Sequence, residues 1–394
     1  MNPLYECQRM LQLTFLGTSA GVPTKQRNVT ALAVECLNPY LSGSKQHSKK
    51  SRPWLLIDCG EGTQQQLLHT KLSLHQLSAI CITHVHGDHC YGLPGLLASA
   101  AMSGRTAPLT LIAPRAIAKL LDTITLTTEL YFPFAINFMA IEDLLSQPDS
   151  ESNGKVDISL DISVNKQQQL TIDIHPLSHR VPCYGFGITQ TINRRTLNTD
   201  KLLAEGIPAS ELWGKLQQGK DVSTDDGKQL RSKDYVDSEE LRSRIVVAGD
   251  NDTPACLTAA FKDADLLIHE ATYTADVLAK VQAKMQASHS DYSHSDYDPM
   301  HSSAAQVGQF AQDIGLPNLI LTHFSARYQS FDNPNSDTPN MGHIRLDAES
   351  TYKGNLWLAA DFDQYRVNGA VEVTDGQKDS RVQYLGSVRS DAKS

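Results

Sequence analysis

The run Thr83-His84-Val85-His86-Gly87-Asp88-His89 packs four imidazole or carboxylate side chains into six residues. Such a crowd is what a metal ion needs: imidazole and carboxylate oxygen suit zinc, and they also admit manganese or iron. His84 and His86 are two apart, an extended-chain spacing unlike the i, i+4 pair of a helical zinc site. Gly87 allows the tight backbone that a strand-to-helix turn requires. The competing reading is a capped helix start with incidental histidines. It supplies no packing purpose for four ligand types on one turn.

Three more ligand types stand at the ends of other apolar runs. His179 follows TIDIHPLS, Asp250 follows RIVVAG and His323 follows LILT. Alone, His179 would read as an ordinary surface or core histidine. Open α/β sheets, however, gather their ligands outside the carboxyl ends of strands, so these residues are expected at one shared site. Seven ligands exceed what one ion takes. Two ions sharing one carboxylate fit: His84, His86, His179 and Asp250 around the first, and Asp88, His89, His323 and Asp250 around the second, with a hydroxide between. Two ions roughly 3.5–4 Å apart stabilise both the attacking and the leaving oxygen of an in-line phosphoryl displacement.

Elements must hold this constellation. Apolar runs predict strands at Leu11–Leu16, Ala31–Cys36, Trp54–Ile57, Ala79–Thr83, Leu109–Ile112, Ile245–Ala248, Leu266–His269, Leu319–Thr322 and Leu356–Ala360. Amphipathic stretches predict helices at Thr63–His69, Leu93–Met102, Pro114–Leu121, Pro254–Phe261 and Ser302–Ile314. Their alternation gives the α/β class. Asn38–Pro53, Arg194–Arg244 and Ala287–Met300 read as insertions, and the polar tail after Gln377 reads as frayed. The histidines at 47, 69, 75, 175, 269 and 343 carry no motif and read as structural. His269 is expected to point away from Glu270 if their strand is regular.

The chain has 394 residues, 35 Lys+Arg against 44 Asp+Glu, and 40% hydrophobic residues. This composition excludes wholesale disorder and fibrous classes. No apolar run approaches the roughly 20 residues that span a bilayer, so no membrane association is expected. Met1–Gly21 does not read as a signal peptide. Seven scattered cysteines without a CxxC point to reduced thiols and a cytoplasmic location. The net charge of −9 argues against a generally sticky nucleic-acid binder, though not against a local basic patch.

THVHGDH resembles the signature of the metallo-β-lactamase superfamily. With GTSAGVPTKQRN at 17–28, IDCGEGTQQQLL at 57–68, HGDHCYGLPGLL at 86–97, IHEATY at 268–273, HSSA at 301–304 and THFSARY at 322–328, the chain resembles the ribonuclease Z family of tRNA 3′-processing endonucleases, ribonuclease BN type included, over about residues 10–365. The resemblance implies a four-layer αβ/βα sandwich over residues 1–377, an inserted tRNA-binding arm at about 194–244 and a flexible tail at 378–394. It implies that His84, His86, Asp88, His89, His179, Asp250 and His323 bind two zinc ions per chain. Asp88, Glu270 and His301 would be catalytic: Asp88 as base or water-orienting carboxylate, and Glu270 holding His301 as the acid for the leaving 3′ oxygen. Pro23, Lys25, Arg27 and Asn28 match a loop that reads the tRNA end, where cations and amides meet phosphates and base edges.

The implied reaction is removal of the 3′ trailer from precursor tRNA by metal-hydroxide attack, leaving a tRNA 3′-hydroxyl and a trailer 5′-phosphate, with exonuclease trimming as a further activity. The implied state is a homodimer in which one subunit's arm holds the tRNA cut by the other. Two departures stand out. Many family members have Gly-Pro where this chain has Ala209-Ser210, and Asn251 follows Asp250 where members usually have Thr. The arm carries ten basic and ten acidic residues, so it is no simple electrostatic clamp. The rival readings are a metallo-β-lactamase-fold hydrolase of small phosphodiesters or sulfate esters, and a non-catalytic RNA-binding protein on the same fold.

Overall fold

A computed structural model describes residues 9–39, 52–146, 154–160, 166–261, 263–288, 300–371 and 381–388. Most of the 38–53 insertion, with Lys45, Lys49 and Lys50, and most of the 287–300 insertion, with His289 and His294, lie outside the described residues.

Two sheets face each other. The first runs, in spatial order, Val382–Ser387, Asp363–Asn368, Arg9–Gly17, Ala31–Cys36, Trp54–Ile57, Leu77–Cys81, Leu109–Ala113 and Ile136–Ala140. The second runs Asn355–Leu358, Asn318–Thr322, Leu266–Glu270, Val236–Val247, Cys183–Leu197, Lys166–Leu177 and Lys155–Ser159. Leu11, Leu13, Leu55 and Ile57 of the first meet Ile172, Phe186, Ile245 and Ile268 of the second in a dry central core. Outside, the first sheet packs on helices Leu93–Met102 and Arg115–Thr128. The second packs on Ala304–Asp313 and Met341–Thr351. Helix, sheet, sheet, helix is the expected four-layer order.

Strand Leu266–Glu270 shows how the sequence writes two faces at once. Leu266 and Ile268 enter the central core, whereas Leu267 joins the helix-side core. A period of two therefore carries Glu270 toward one layer and His269 toward the other. His269 is fully buried, its Nδ1 bonded to the Glu270 carbonyl at 2.7 Å.

The tail needs correcting. Val382–Ser387 does not fray but forms the edge strand on Asp363–Asn368. Val382 is buried, the Tyr384 hydroxyl donates to Asp363 at 2.9 Å, and Arg381 pairs with Asp265 at 2.7 Å. One inward apolar residue and two polar anchors suffice to hold a strand whose composition reads as tail.

The arm grows out of the second sheet, with Lys166–Leu177 flanking Cys183–Leu197 as far as Arg194. Cys183–Leu197 and Val236–Val247 pair continuously from Phe186 opposite Val247 to Leu197 opposite Val236. Twelve paired residues at roughly 3.3 Å each put the tip about 40 Å from the Val247 end. The tip has its own small core of Leu202, Ile207, Leu216, Val222, Leu230 and Tyr235.

Candidate metal centre

Each ligand-type residue leaves a strand end. Leu77–Cys81 runs into the turn that carries His84 and His86 and then into the short helix Gly87–Cys90, which holds Asp88 and His89. His179 follows Lys166–Leu177, Asp250 follows Val236–Val247, and His323 follows Asn318–Thr322 in a left-handed conformation (φ 55°). The turn is wedged by glycine: a Cβ on Gly60 would lie 2.3 Å from the Asp88 carbonyl oxygen. Ordinary side chains would push the helix off the site.

The structure brings all seven together. His84, His86, His179 and Asp250 form one group whose ligand atoms lie within 4.8 Å of one another, and Asp88, His89 and His323 form another. Asp250 spans them. Its Oδ2 lies 3.6 Å from His84 Nε2 and 3.8 Å from His179 Nε2. Its Oδ1 lies 3.4 Å from His89 Nε2 and 3.3 Å from His323 Nε2. Asp88 Oδ2 sits 3.5 Å from His89 Nε2 and 3.4 Å from His323 Nε2, and accepts the Gly21 N–H at 2.7 Å.

A partner behind each ring selects its tautomer. Asp58, left-handed at the end of Trp54–Ile57, accepts from Thr83 Oγ1–H at 2.8 Å and from His89 Nδ1–H at 2.7 Å. Thr83 Oγ1, its proton committed to Asp58, accepts from His84 Nδ1–H at 3.0 Å. The Met300 carbonyl accepts from His179 Nδ1–H at 3.0 Å. The Thr272 hydroxyl donates to Glu270 Oε2 and so accepts from His323 Nδ1–H at 3.1 Å. Four Nε2 lone pairs therefore turn inward. His86 is reversed, with Nδ1 facing His84 Nε2 at 3.0 Å and Nε2 facing Arg180 at 3.3 Å.

This donor set fits cations. In their neutral forms His89 and His323 face each other lone pair to lone pair at 3.2 Å, whereas His86, its Nε2 accepting from Arg180, can donate from Nδ1 to His84 Nε2 at 3.0 Å. Asp250 Oδ1 is buried and accepts no hydrogen bond. Such an arrangement costs free energy unless a positive charge sits among the acceptors. The titrations agree for three of the imidazoles and for Asp88. Burial and the neighbouring His179 push His86 down to about 4, and burial also lowers His84 and His179. Burial would raise Asp88, but His89 and His323 outweigh it and hold its carboxyl well below the usual range. His89 runs the other way: burial would lower it, but Asp250, Asp58 and Asp88 prevail and raise it. Metal binding would displace that proton, since neutral imidazoles and ionised carboxylates are the forms that bind metal.

Beside the cluster, Glu270 is 1% exposed. Its Oε1 accepts from His301 Nδ1 at 2.9 Å, from Asn251 N at 3.0 Å and from Ser302 N at 3.3 Å, while Thr272 N donates to Oε2 at 3.1 Å. Burial would lower His301, but Glu270 and Asp250 prevail and raise it to about 9. His301 thus stands as a charged imidazolium at the edge of the cluster, with Nδ1 tied back. It also lies within ligand reach of Asp250 and His323.

The loop at 18–28 closes over one side. Pro23 and Lys25 are exposed, and Asn28 is half-buried with its side-chain amide donating to the Glu61 carbonyl at 2.9 Å. Arg27 departs from expectation. It is 5% exposed, and its guanidinium donates to the carbonyls of Ser325 at 3.2 Å and Tyr328 at 2.7 Å. It holds the loop against the segment after His323 instead of offering charge to solvent.

Three residues of this site went unread in the sequence, Asp58, Thr272 and Arg180, and the role of Asn251 was not foreseen. Asn251 bridges two ligand loops, its Oδ1 accepting from Ser178 N at 3.2 Å. Only Asp58 carried a signal, as the acid ending the apolar run WLLID.

A family model described as Anti-Pycsar protein Apyc1 matches residues 11–211. That stretch includes His84, His86, Asp88, His89 and His179 but ends before Asp250, Glu270, His301 and His323. Ribonuclease Z of Marinobacter nauticus is 44% identical over 359 residues, covering 91% of this chain and 96% of the relative. Ribonuclease BN of Proteus mirabilis is 33% identical over 358 residues, covering 91% and 100%. Among solved structures, the short form of human tRNase Z superposes with a TM-score of 0.51 at 22% identity, over 90% of this chain and 98% of that one. The metallo-β-lactamase fold protein YhfI of Bacillus subtilis gives 0.52 at 17% identity, over 90% and 99%. At such identities these two likenesses speak for the fold, which is that of the metallo-β-lactamases.

Proposed function

The chain belongs to the ribonuclease Z family, with residues 11–211 also falling within the Apyc1 family, and from this we propose that it is a metal-dependent endoribonuclease that cuts the 3′ trailer from precursor tRNA. The observation that carries the chemistry is Asp250, whose two oxygens face two separate groups of imidazoles. We assign His84, His86, His179 and Asp250 to one ion and Asp88, His89, His323 and Asp250 to the other, and take both to be zinc. Imidazole and carboxylate without thiolate favour that choice, with manganese or iron as substitutes.

Cations held there would lower the pKa of water and neutralise charge on the phosphoryl oxygens. The protein's own groups do the rest. Asp88, anchored by the Gly21 N–H, accepts a hydrogen bond from the attacking water and orients it. His301 gives a proton to the departing 3′ oxygen, while Glu270 holds its Nδ1–H and stabilises the imidazolium before transfer. The phosphorus–O3′ bond breaks as water oxygen joins phosphorus. The tRNA keeps a 3′-hydroxyl, and the trailer leaves with a 5′-phosphate. Lys25, Pro23 and Asn28 lie where the RNA end would enter, with Lys25 supplying the exposed charge.

We read residues 1–377 as one nuclease domain with the arm inserted, the edge strand Val382–Ser387 extending it, and the enzyme as a homodimer. The arm supports the dimer. Its tip lies at the opposite end of the Val236–Val247 strand from Asp250, so it reaches substrate bound elsewhere than among its own ligands. No described helix is long and apolar enough to cross a membrane. A cytoplasmic location follows from a precursor-tRNA substrate and suits the free thiols of Cys36, Cys59, Cys81, Cys90, Cys183 and Cys256.

The test is incubation with a 3′-extended tRNA, reading product length and termini beside Asp88→Ala. One cut beyond the discriminator base, lost in the variant while tRNA binding persists, is expected. Intact precursor after incubation with the zinc-loaded wild type would overturn the reading.

A further inference from the structure

Asp361 leaves the end of strand Asn355–Leu358, far in sequence from every ligand, and yet its carboxylate gathers three segments around the 18–28 loop. Oδ1 accepts the Thr18 hydroxyl at 2.8 Å, at the start of that loop. Oδ2 accepts the Asn28 backbone N–H at 2.6 Å, at its end, and the Gln66 side-chain amide at 3.0 Å. Gln66 in turn donates to the Leu16 carbonyl at 2.7 Å, tying in the strand that precedes the loop.

Both ends of the loop therefore close on one half-buried side chain. Between these ends the loop has further anchors. The Gly21 N–H reaches Asp88, and Arg27 reaches the carbonyls of Ser325 and Tyr328. Short parallel pairing of Ser19 and Ala20 with Phe324 and Ser325 joins the same two segments. A loop clasped in this way presents Lys25 in one place instead of many. RNA that meets a prearranged loop escapes the ordering cost a floppy one would impose.

We propose that Asp361 is a positioning residue for precursor tRNA, fixing the 18–28 loop so that Lys25 and its neighbours meet the RNA end. This rests on the nuclease reading above. Asp361 touches no ligand of the cluster, so its removal acts on substrate binding and leaves metal loading alone.

The isosteric amide sharpens the test. In Asp361→Asn the remaining oxygen can keep Asn28 and Gln66, while the new amide donates to Thr18, whose hydroxyl turns from donor to acceptor. Asp361→Ala loses all three contacts. With zinc-loaded enzyme and a 3′-extended tRNA, Asp361→Ala should raise KM about tenfold with kcat within about twofold, a loss of roughly one to two net hydrogen bonds. Asp361→Asn should return KM to within about twofold of wild type. Trypsin cleavage after Lys25 should quicken about tenfold in Asp361→Ala and not in Asp361→Asn, with zinc content equal in all three. An unchanged KM in folded Asp361→Ala, or a fall in kcat alone, overturns the proposal. Should Asp361→Ala not fold, Thr18→Val removes a single donor and is expected to raise KM two- to threefold; no change there overturns it equally. Failure of the wild type to cut the precursor would instead overturn the nuclease reading, so the two failures are separable.

Discussion

His301 Nδ1 donates to Glu270 Oε1 across 2.9 Å, and the carboxylate that receives it is nearly sealed from solvent while the imidazole is 15% exposed. A buried base behind a partly exposed acid directs the proton outward. If that proton goes to the leaving oxygen, its value depends on how poor the leaving group is. His301→Ala should lower kcat on precursor tRNA by about 10²–10³-fold. An aryl phosphodiester, whose leaving group needs no proton, should lose less than about tenfold. Parallel kinetics with zinc content measured in each preparation decide it. Equal losses on the two substrates would make His301 a ligand, as its nearness to Asp250 and His323 would also allow.

Lone pairs in close opposition predict metal-dependent stability. Chelation should inactivate the enzyme and lower Tm by about 10 °C, because an ion bound only by the folded chain stabilises it by several kcal/mol. Restoring zinc should restore both, with more than one ion per chain by elemental analysis. A Tm indifferent to chelation would contradict the crowding described at Asp250 Oδ1.

Joining Leu197 to Val236 through a two-residue turn removes the arm tip at a point where the strands already pair. Cleavage of precursor tRNA should fall at least about 100-fold in kcat/KM, roughly the loss of 3 kcal/mol of binding. An aryl phosphodiester should be cut within about threefold of wild type. Undiminished tRNA cleavage would favour a small-molecule substrate and leave the arm unexplained.

Two carboxylates outside the cluster predict opposite pH responses. Burial would raise Asp173, but the Arg244 guanidinium, bonded at 2.6 and 2.7 Å, and His175 bring it down to about 2. Its folded value lies below the unfolded one, so its stabilisation is complete above about pH 4 and fades as pH falls toward 2. Burial raises Asp361 to about 6 against the weaker pull of Asn28, Thr18 and Arg27. Its folded value exceeds the unfolded one, so stability is fully present below about pH 4 and is lost as pH rises through 6. Asp173→Asn should therefore cost about 2–3 kcal/mol at pH 7 and less at pH 3, whereas Asp361→Asn should be neutral or stabilising at pH 7. Denaturant titrations at pH 3, 5 and 7 read both signs; a parallel response of the two variants would refute the assignment.

The meeting of these seven His and Asp side chains was legible because apolar runs ending in His or Asp announce strand termini, and strand termini share an edge. Strands Lys166–Leu177 and Cys183–Leu197 were not. Their outer parts, KQQQ and INRRTL, are mostly polar even where the structure buries Gln168 and Ile192, so no apolar alternation is written there. Likewise only Ile245–Ala248 of Val236–Val247 was apolar enough to read. The tip core draws single apolar residues from short helices and turns, which no periodicity marks. Asp361 meets Thr18 and Asn28 across 343 and 333 positions, a closeness that exists only after folding. Arg27 looked like an offered charge because nothing local reveals that two carbonyls from 325–328 await it.

The tip's private core has an evolutionary consequence. A head with its own core, joined to the sheet by the last few pairs of one ladder, can be exchanged with little repacking of the sandwich. If the tip selects the RNA as proposed, substrate choice and bond cleavage are separately heritable, and a lineage could change which RNAs it accepts while leaving the His and Asp cluster untouched.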